Sequence, residues 1–287
     1  MKLLSVAAFA VALVYSPLSA TAQTAEERIE WNRPVQPFNV AGNVNYVGVE
    51  GVSAYLITTP QGHILIDGGL PESAPLILAS IRKLGFDPAD VKLLLNSHAH
   101  FDHAGGMAAL KAATGAQVVA SEGDKPALES GRHIGLANYE GRFSAITVDR
   151  VVRDGDTVEL GGTILTARVT PGHTAGCTSW SVPVEQQDKT LTVLFFCSAS
   201  VAGATLVDNT EYPQIVSDFR STFDRLDRMH VDILLANHPG LVDLFERRRR
   251  QQAGDAAAFV DRGALPALSH ELRAAFEANL ARQEANR

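Results

Sequence analysis

A run of metal-ligand side chains directly follows a predicted buried strand. Residues 98–103 read His-Ala-His-Phe-Asp-His, which places three imidazoles and one carboxylate within a single short loop. The apolar stretch Val91–Asn96 before the run predicts a strand, and Gly105 and Gly106 after it predict a tight turn. Imidazole and carboxylate groups are ligands that zinc prefers in proteins. We therefore expect a fold that holds this loop rigidly at the edge of a β-sheet.

Two further histidines follow predicted strands in the same way. His173 comes after the predicted strand 163–170, and His238 comes after the predicted strand 231–236. We expect these three strand ends to converge on one shared site at one sheet edge. Five histidines and one aspartate supply enough ligands for two zinc ions with three protein ligands each and a bridging water. The donor set also accommodates iron or manganese. This set of ligand side chains predicts metal-assisted hydrolysis.

The rest of the chain alternates predicted strands and helices, which indicates a layered α/β domain. The predicted strands are 44–49, 53–58, 63–67, 91–96, 117–120, 158–160, 163–170, 191–197 and 231–236. The predicted helices are 71–84, 106–114 and 216–229, followed by a helical stretch at the C-terminal end. Segment 131–144 lacks periodicity and contains several glycines, which predicts a long mobile loop. No linker divides the sequence, so we expect one domain.

The first 22 residues predict a secretory signal peptide rather than a part of the fold. Lys2 precedes the apolar run 3–15, and the segment 20–22, Ala-Thr-Ala, matches a signal peptidase site. We therefore expect export to the periplasm and a mature domain 23–287, with an extended lead-in over 23–42. No second long apolar stretch follows, so we expect no membrane association after cleavage. The formal net charge of −7 argues against a nucleic-acid partner.

These motifs resemble those of the metallo-β-lactamase superfamily, and more narrowly those of the third subclass (B3) of class B β-lactamases. The resemblance covers nearly the whole mature chain. It implies an α/β fold of the αββα sandwich type, in which two mixed β-sheets flanked by helices form a single domain. The segments that carry the resemblance are Trp31-Asn32, 54–57, 98–106, 149–155, 170–180 and 206–219.

The resemblance also implies an activity and a set of site residues. The activity is hydrolysis of the β-lactam amide bond of penicillins, cephalosporins and carbapenems by a zinc-bound hydroxide, which confers antibiotic resistance. Asp102 would orient the hydroxide, and Ser198 and Ser200 would hydrogen-bond the substrate carboxylate. Asp67 would orient the ligand loop, although an Asp-Gly turn is an equally good interpretation of that residue. The implied zinc ligands are His98, His100 and His173 for the first ion, and Asp102, His103 and His238 for the second.

The segment 196–200, Phe-Cys-Ser-Ala-Ser, separates this chain from other members of the superfamily. Glyoxalase II-like hydrolases place a metal-bridging aspartate after this strand, and the other β-lactamase subclasses place a zinc-binding cysteine at the position of Ser198. Simple turn formation is the alternative role for the serines. Some B3 members join cysteines at positions that match Cys177 and Cys197, the only two cysteines here. The resemblance therefore implies a disulfide, and two buried free thiols are the alternative.

Other functions stay open at this point. Another exported dizinc hydrolase, a lactonase or a thioesterase, would use the same ligands. A nuclease is disfavoured by the acidic charge and by the lack of a basic, aromatic-rich patch. A metal-binding or periplasmic ligand-binding protein without catalytic activity would leave such a site unused. We expect a small-molecule substrate and a monomeric protein.

Overall fold

Two stacked β-sheets form the centre of the structure, a computed structural model that describes residues 25–136 and 142–286. Seven strands form the first sheet in chain order: β1 (Phe38–Ala41), β2 (Val44–Tyr46), β3 (Tyr55–Thr59), β4 (Gly62–Ile66), β5 (Val91–Leu95), β6 (Gln117–Ser121) and β7 (Arg150–Val152). Five strands form the second sheet, in the order β12 (Ile233–Ala236), β11 (Lys189–Phe196), β10 (Thr178–Gln186), β9 (Thr163–Val169) and β8 (Thr157–Leu160). Each sheet contains parallel and antiparallel pairs, so both are mixed.

Helices cover the outer faces of the sheets. They are α1 (Ala25–Trp31), α2 (Ala74–Lys83), α3 (Phe101–Ala104), α4 (Met107–Thr114), α5 (Lys125–Ser130), α6 (Ile215–Leu226), α7 (Leu244–Gln252) and α8 (Ala264–Ala285), with 3-10 turns at Pro88–Asp90 and Pro239–Val242. Ile77 of α2 and Leu110 of α4 share a core with the first sheet, whereas Phe219 of α6 and Phe276 of α8 belong to the core of the second. This arrangement confirms the αββα sandwich.

The alternating side chains of β5 show how one strand serves two layers. Leu93 and Leu95 belong to the core between the sheets, while Leu94 belongs to the core under α2 and α4. Successive side chains of a strand point to opposite faces, so a strand covered on both sides must be apolar throughout. The apolar run Leu93–Leu95 reflects this double burial, whereas Lys92 near the start of the strand is exposed.

The lead-in over 23–42 is not extended throughout, and this prediction was wrong for its first half. Residues Ala25–Trp31 form α1, whose sequence AEERIEW places Glu26 and Glu27 in the first turn, where acidic side chains favour a helix. Trp31 anchors the helix, because its backbone carbonyl accepts a hydrogen bond from the N–H of Gly51 at 2.9 Å. The predicted signal peptide over 1–22 lies outside the described residues.

The central strand β10 is absent from the sequence-based strand assignment. Its sequence, TSWSVPVEQ, contains Pro183, which lacks a backbone N–H and argues against a central strand. The strand pairs with β9 only over Thr178–Ser181, so Pro183 lies beyond that pairing. The proline therefore removes no hydrogen bond to β9. No helix among the described residues is long and apolar enough to cross a membrane.

Candidate metal centre

The loop over residues 98–103 leaves the end of β5 and is fastened by a buried carboxylate on the neighbouring strand end. Asp67 follows β4, and its two carboxylate oxygens accept hydrogen bonds from the backbone N–H of Ser97 at 2.7 Å and from the Ser97 hydroxyl at 2.6 Å. The Asp67 backbone has a left-handed φ of 63°. Such a conformation is uncommon for a residue other than glycine and is frequent at functional sites. The contacts extend well beyond those of an Asp-Gly turn.

The first group of facing side chains, called the first triad below, consists of His98, His100 and His173. One potential ligand atom from each lies within 4.8 Å of the others, and all three side chains are buried. The Nε2 atoms of His98 and His173 are 3.1 Å apart. His98 and His100 come from the first sheet, whereas His173 follows β9 of the second. The two sheets therefore build this triad together.

The second group, the second triad, consists of Asp102, His103 and His238. Their potential ligand atoms also lie within 4.8 Å of one another. The Asp102 Oδ2 atom is 3.2 Å from His103 Nε2 and 3.4 Å from His238 Nε2. The ring centroids of His98 and His103 are 4.3 Å apart, so the two triads lie side by side. All six side chains that the sequence analysis selected therefore meet at one edge of the sandwich.

The second nitrogen of several rings is engaged by the protein. His173 Nδ1 donates to the carbonyl oxygen of Ser200 at 2.7 Å, and His238 Nδ1 donates to that of Gly51 at 2.9 Å. A ring that donates from Nδ1 presents the lone pair of Nε2, as metal-binding histidines do. His98 Nδ1 lies 3.1 Å from the Ser97 hydroxyl. These contacts fix the orientation of the rings.

The imidazole nitrogens of the first triad are better placed to bind a metal ion than to hydrogen-bond with one another. With its Nδ1 donating to Ser200, His173 turns an unprotonated Nε2 toward the Nε2 of His98. The buried His100 Nε2 has no hydrogen-bond partner within the described residues 25–136 and 142–286. Buried nitrogens are normally paired, so this cluster indicates a cation that accepts imidazole ligands. The residues present therefore fit a metal ion.

The pKa of His103 shifts in the opposite direction from the pKa values of the other four histidines of the two triads. Burial lowers the pKa of His98 and His100 well below the usual range, and neighbouring imidazoles add to the effect. Burial also lowers the pKa of His173 to about 4. Burial acts in the same sense on His103, but the Asp102 carboxylate outweighs it and raises the pKa of His103 overall. The first triad is therefore neutral near pH 7, while the second favours an imidazolium–carboxylate pair.

The segment over 196–200 lies beside the first triad. Ser198 is buried, and its hydroxyl accepts a hydrogen bond from the Ser200 N–H at 3.2 Å, which is a turn interaction. The Ser200 hydroxyl lies 3.3 Å from His173 Nδ1 and is more accessible. A Cys177–Cys197 disulfide joins the strand ends, with the Cα atoms 5.9 Å apart, which confirms the predicted bond. The sulfur atoms near His98 are therefore not thiolate ligands.

Two residues at the centre were not selected from the sequence. His133 stacks on His100, with ring centroids 4.7 Å apart and an interplanar angle of 19°, and its Nε2 accepts from the Phe101 N–H at 3.3 Å. The buried Asp124 contacts loops of both sheets.

His133 falls in segment 131–144, and a bridge between Arg132 and Arg142 closes the base of that segment. Tyr139, which also falls in segment 131–144, lies outside the described residues.

Comparisons with known proteins agree with this geometry. A family model of the metallo-beta-lactamase superfamily matches residues 47–238. BJP-1, a subclass B3 metallo-beta-lactamase of Bradyrhizobium japonicum, is 44% identical and covers 90% of this chain and 98% of its own, with a TM-score of 0.86. FEZ-1, a metallo-beta-lactamase from Legionella gormanii, is 40% identical and covers 88% of this chain and 98% of its own, with a TM-score of 0.85.

Curated sequences give shorter matches. A hydroxyacylglutathione hydrolase of Hyphomonas neptunium is 30% identical over 132 residues, which are 46% of this chain and 43% of that protein. The chain thus spans less than half the length of this relative, whereas it spans nearly all of the two solved structures. The similarity to these structures therefore describes the whole fold. The chain belongs to the metallo-beta-lactamase superfamily, with subclass B3 enzymes among its structural relatives.

Proposed function

We propose that this protein hydrolyses the amide bond of β-lactams at two zinc ions. The observation that carries the proposal is the pair of adjacent triads, His98, His100 and His173 beside Asp102, His103 and His238. The full-length similarity to subclass B3 enzymes supports the substrate class. Zinc, when bound, polarises a carbonyl group and lowers the pKa of water at neutral pH.

The side chains around the triads have distinct roles in this proposal. The Asp102 carboxylate accepts a hydrogen bond from the attacking water and orients that water toward the substrate carbonyl. Burial raises the pKa of this carboxyl, but the adjacent His103 and His238 outweigh that effect and lower it, so Asp102 stays ionised. The accessible Ser200 hydroxyl binds the substrate carboxylate, and Ser198 orients Ser200 through its turn. Because attack comes from water, the reaction passes through no acyl-enzyme.

The proposal is tested with purified mature protein and three β-lactam classes. We expect turnover of a penicillin, a cephalosporin or a carbapenem that stops with a chelator and returns when zinc is added. Metal analysis of the restored protein should give two zinc ions per chain. A protein that holds two zinc ions but leaves all three β-lactams intact would overturn the substrate class.

Lactone and thioester substrates form the comparison arm of the same assay. The hydroxyacylglutathione hydrolase relative makes a thioester the relevant alternative. The segment 196–200 has no acidic residue, whereas glyoxalase II-like hydrolases are expected to have an aspartate there. This difference favours the β-lactam. Faster turnover of a thioester than of every β-lactam would reverse the assignment.

The cellular location belongs to the same proposal. Residues 1–22 form the predicted signal peptide, and the disulfide is typical of proteins in oxidising compartments. We expect the mature protein to be a periplasmic monomer that begins at Gln23. N-terminal sequencing of the protein from a periplasmic extract checks the cleavage site, and its mass in solution checks the monomer.

A further inference from the structure

A single buried carboxylate joins the loops that carry the first triad. Asp124, immediately before α5, is 2% exposed. Its Oδ2 accepts hydrogen bonds from the backbone N–H of Ala99 at 2.9 Å and from the Thr174 hydroxyl at 2.8 Å. Its Oδ1 accepts a hydrogen bond from the N–H of Gly176 at 2.9 Å. Asp124 therefore touches the first sheet's ligand loop and the second sheet's ligand loop at once.

The contacted residues are direct neighbours of the ligands. Ala99 is the residue between His98 and His100, and Thr174 follows His173. A shift of the Asp124 carboxylate would therefore move all three imidazoles relative to one another. Metal ligands depend on such outer contacts to keep the geometry that one ion requires.

We propose that Asp124 is a positioning residue that sets the spacing of His98, His100 and His173 for the first metal ion. This inference rests on the proposed function, because it takes the first triad to be a metal site. Asp124 acts on the three rings through their neighbours, namely the N–H groups of Ala99 and Gly176 and the hydroxyl of Thr174.

The backbone around Asp124 packs closely against the loop that carries His173. A Cβ atom on Gly176 would lie 2.2 Å from the Asp124 nitrogen, and one on Gly123 would lie 2.6 Å from the carbonyl oxygen of Ala175. The Ser121 hydroxyl donates to the Gly176 carbonyl at 2.6 Å and accepts from the Asp124 N–H at 3.3 Å. The segment before α5 thus meets the second sheet's ligand loop backbone to backbone, and the Asp124 carboxylate links it to Ala99 in the first sheet's ligand loop.

Asparagine is nearly the same shape as aspartate but cannot replace it here. The three groups that face Asp124 are all donors, two N–H groups and one hydroxyl. The amide nitrogen of asparagine is also a donor, so it would face an N–H group and leave it unpaired. Asp124→Asn should therefore push the two loops apart without opening a cavity.

The experiment measures zinc affinity separately for each triad. His238→Ala breaks the second triad and leaves the first to bind zinc, and His173→Ala does the reverse. Each metal-free background is titrated with zinc against a chromophoric chelator, with and without Asp124→Asn. We expect Asp124→Asn to weaken the first triad about 10- to 100-fold and the second less than about threefold.

Asp149→Asn is the matched control. Asp149 also accepts a backbone hydrogen bond, from the Val118 N–H at 2.7 Å, and pairs with Lys111 at 2.6 Å, but it touches no ligand loop. This variant should leave both affinities within about threefold. Equal weakening of the two triads by Asp124→Asn, or no weakening of the first, would overturn the inference, because a merely structural residue would not select one site.

A milder variant covers the case in which Asp124→Asn does not fold. Thr174→Val removes one donor and keeps the carboxylate, so it should weaken the first triad less and still spare the second. Thermal unfolding of each metal-free variant shows whether it is folded. If the His238→Ala background with intact Asp124 binds no zinc, the proposed function fails. If that background binds zinc as tightly with Asp124→Asn and with Thr174→Val as without them, only this inference fails.

Discussion

The two triads lie side by side but are fixed by different interactions. The first contains imidazoles only, and the Ser200 carbonyl, Asp124 and a nearby disulfide hold its surroundings in place. The second contains a carboxylate, and its His238 side chain keeps 28% of its surface exposed. The ring of Trp31 packs against His238 with a centroid distance of 5.1 Å. Hydrogen bonds to the backbone orient rings in both sites, and only the second site adds opposite charges, on Asp102 and His103.

This contrast predicts that the two sites differ in the protons that they release when a metal ion binds. The first triad needs no charge rearrangement, because its rings are neutral before the metal arrives. The second triad must exchange a proton on His103 for the metal. The first site is therefore preorganised, and the second depends on pH.

The largest expected effect comes from removing one ligand of either triad. His100→Ala and His238→Ala should each reduce the bound zinc from two ions to one. Loss of one ion's electrostatic stabilisation is worth several kcal/mol, which lowers kcat/KM for a β-lactam at least about a thousandfold. Metal analysis and steady-state kinetics of both variants measure the effect. If His100→Ala retained two tightly bound ions, the division into two triads would be wrong.

The second effect concerns the disulfide, which lies only on the side of the first triad. The Cys177→Ala/Cys197→Ala double variant opens a covalent loop with a sequence separation of 20. We expect the free energy of unfolding to fall by about 3 kcal/mol, with weaker zinc binding at the first triad only. Urea unfolding and the two single-triad backgrounds provide the measurements. A reductant should destabilise the wild type to a similar degree and leave the double variant unchanged, and loss of affinity at the second triad would contradict the contrast.

The smallest effect is the pH dependence of zinc affinity. Below the raised pKa of His103, the metal-free second triad carries a proton that zinc must displace. Its apparent affinity should therefore rise up to about tenfold per pH unit as pH increases toward that pKa, and then level off. The first triad has lowered pKa values, so this contribution is absent between pH 6 and 8.

Zinc titrations of the His173→Ala and His238→Ala backgrounds across this pH range measure both slopes. The second triad should release about one more proton than the first. Equal slopes for the two intact triads would show that the pKa contrast is absent in solution.

The six side chains that meet at the centre, with Asp67 and the disulfide beside them, were selected from the sequence, whereas Asp124 and His133 were not. His98, His173 and His238 are recognisable because each follows an apolar strand, and strand ends converge. Asp124 lies in Ser-Glu-Gly-Asp-Lys, which is indistinguishable from a surface turn. Its partners Ala99 and Thr174 are 25 and 50 positions away in the chain, so only the folded backbone brings them together.

The fold was predicted well where hydrophobic patterning is strong. Residues Leu93–Leu95 of β5 form an apolar run because they are buried on both faces, and the strand was predicted nearly to its ends. Strand β10 was not predicted because Pro183 and several polar residues are unusual in a central strand. Its pairing with β9 ends before Pro183, so the proline is tolerated there. Helix α1 was missed because helix-forming residues compete with the nearby Pro34 and Pro37, which favour extended chain.

Each triad takes side chains from both sheets, so the stability of the folded protein depends on the concentration of free metal. Each triad draws ligands from both halves of the sandwich, so any opening that separates the sheets releases the metal. By mass action, each tenfold rise of free zinc above the dissociation constant adds about 1.4 kcal/mol per site to the free energy of unfolding. In a cell that restricts zinc, this protein would therefore unfold more often and be degraded sooner by proteases, in addition to losing its activity.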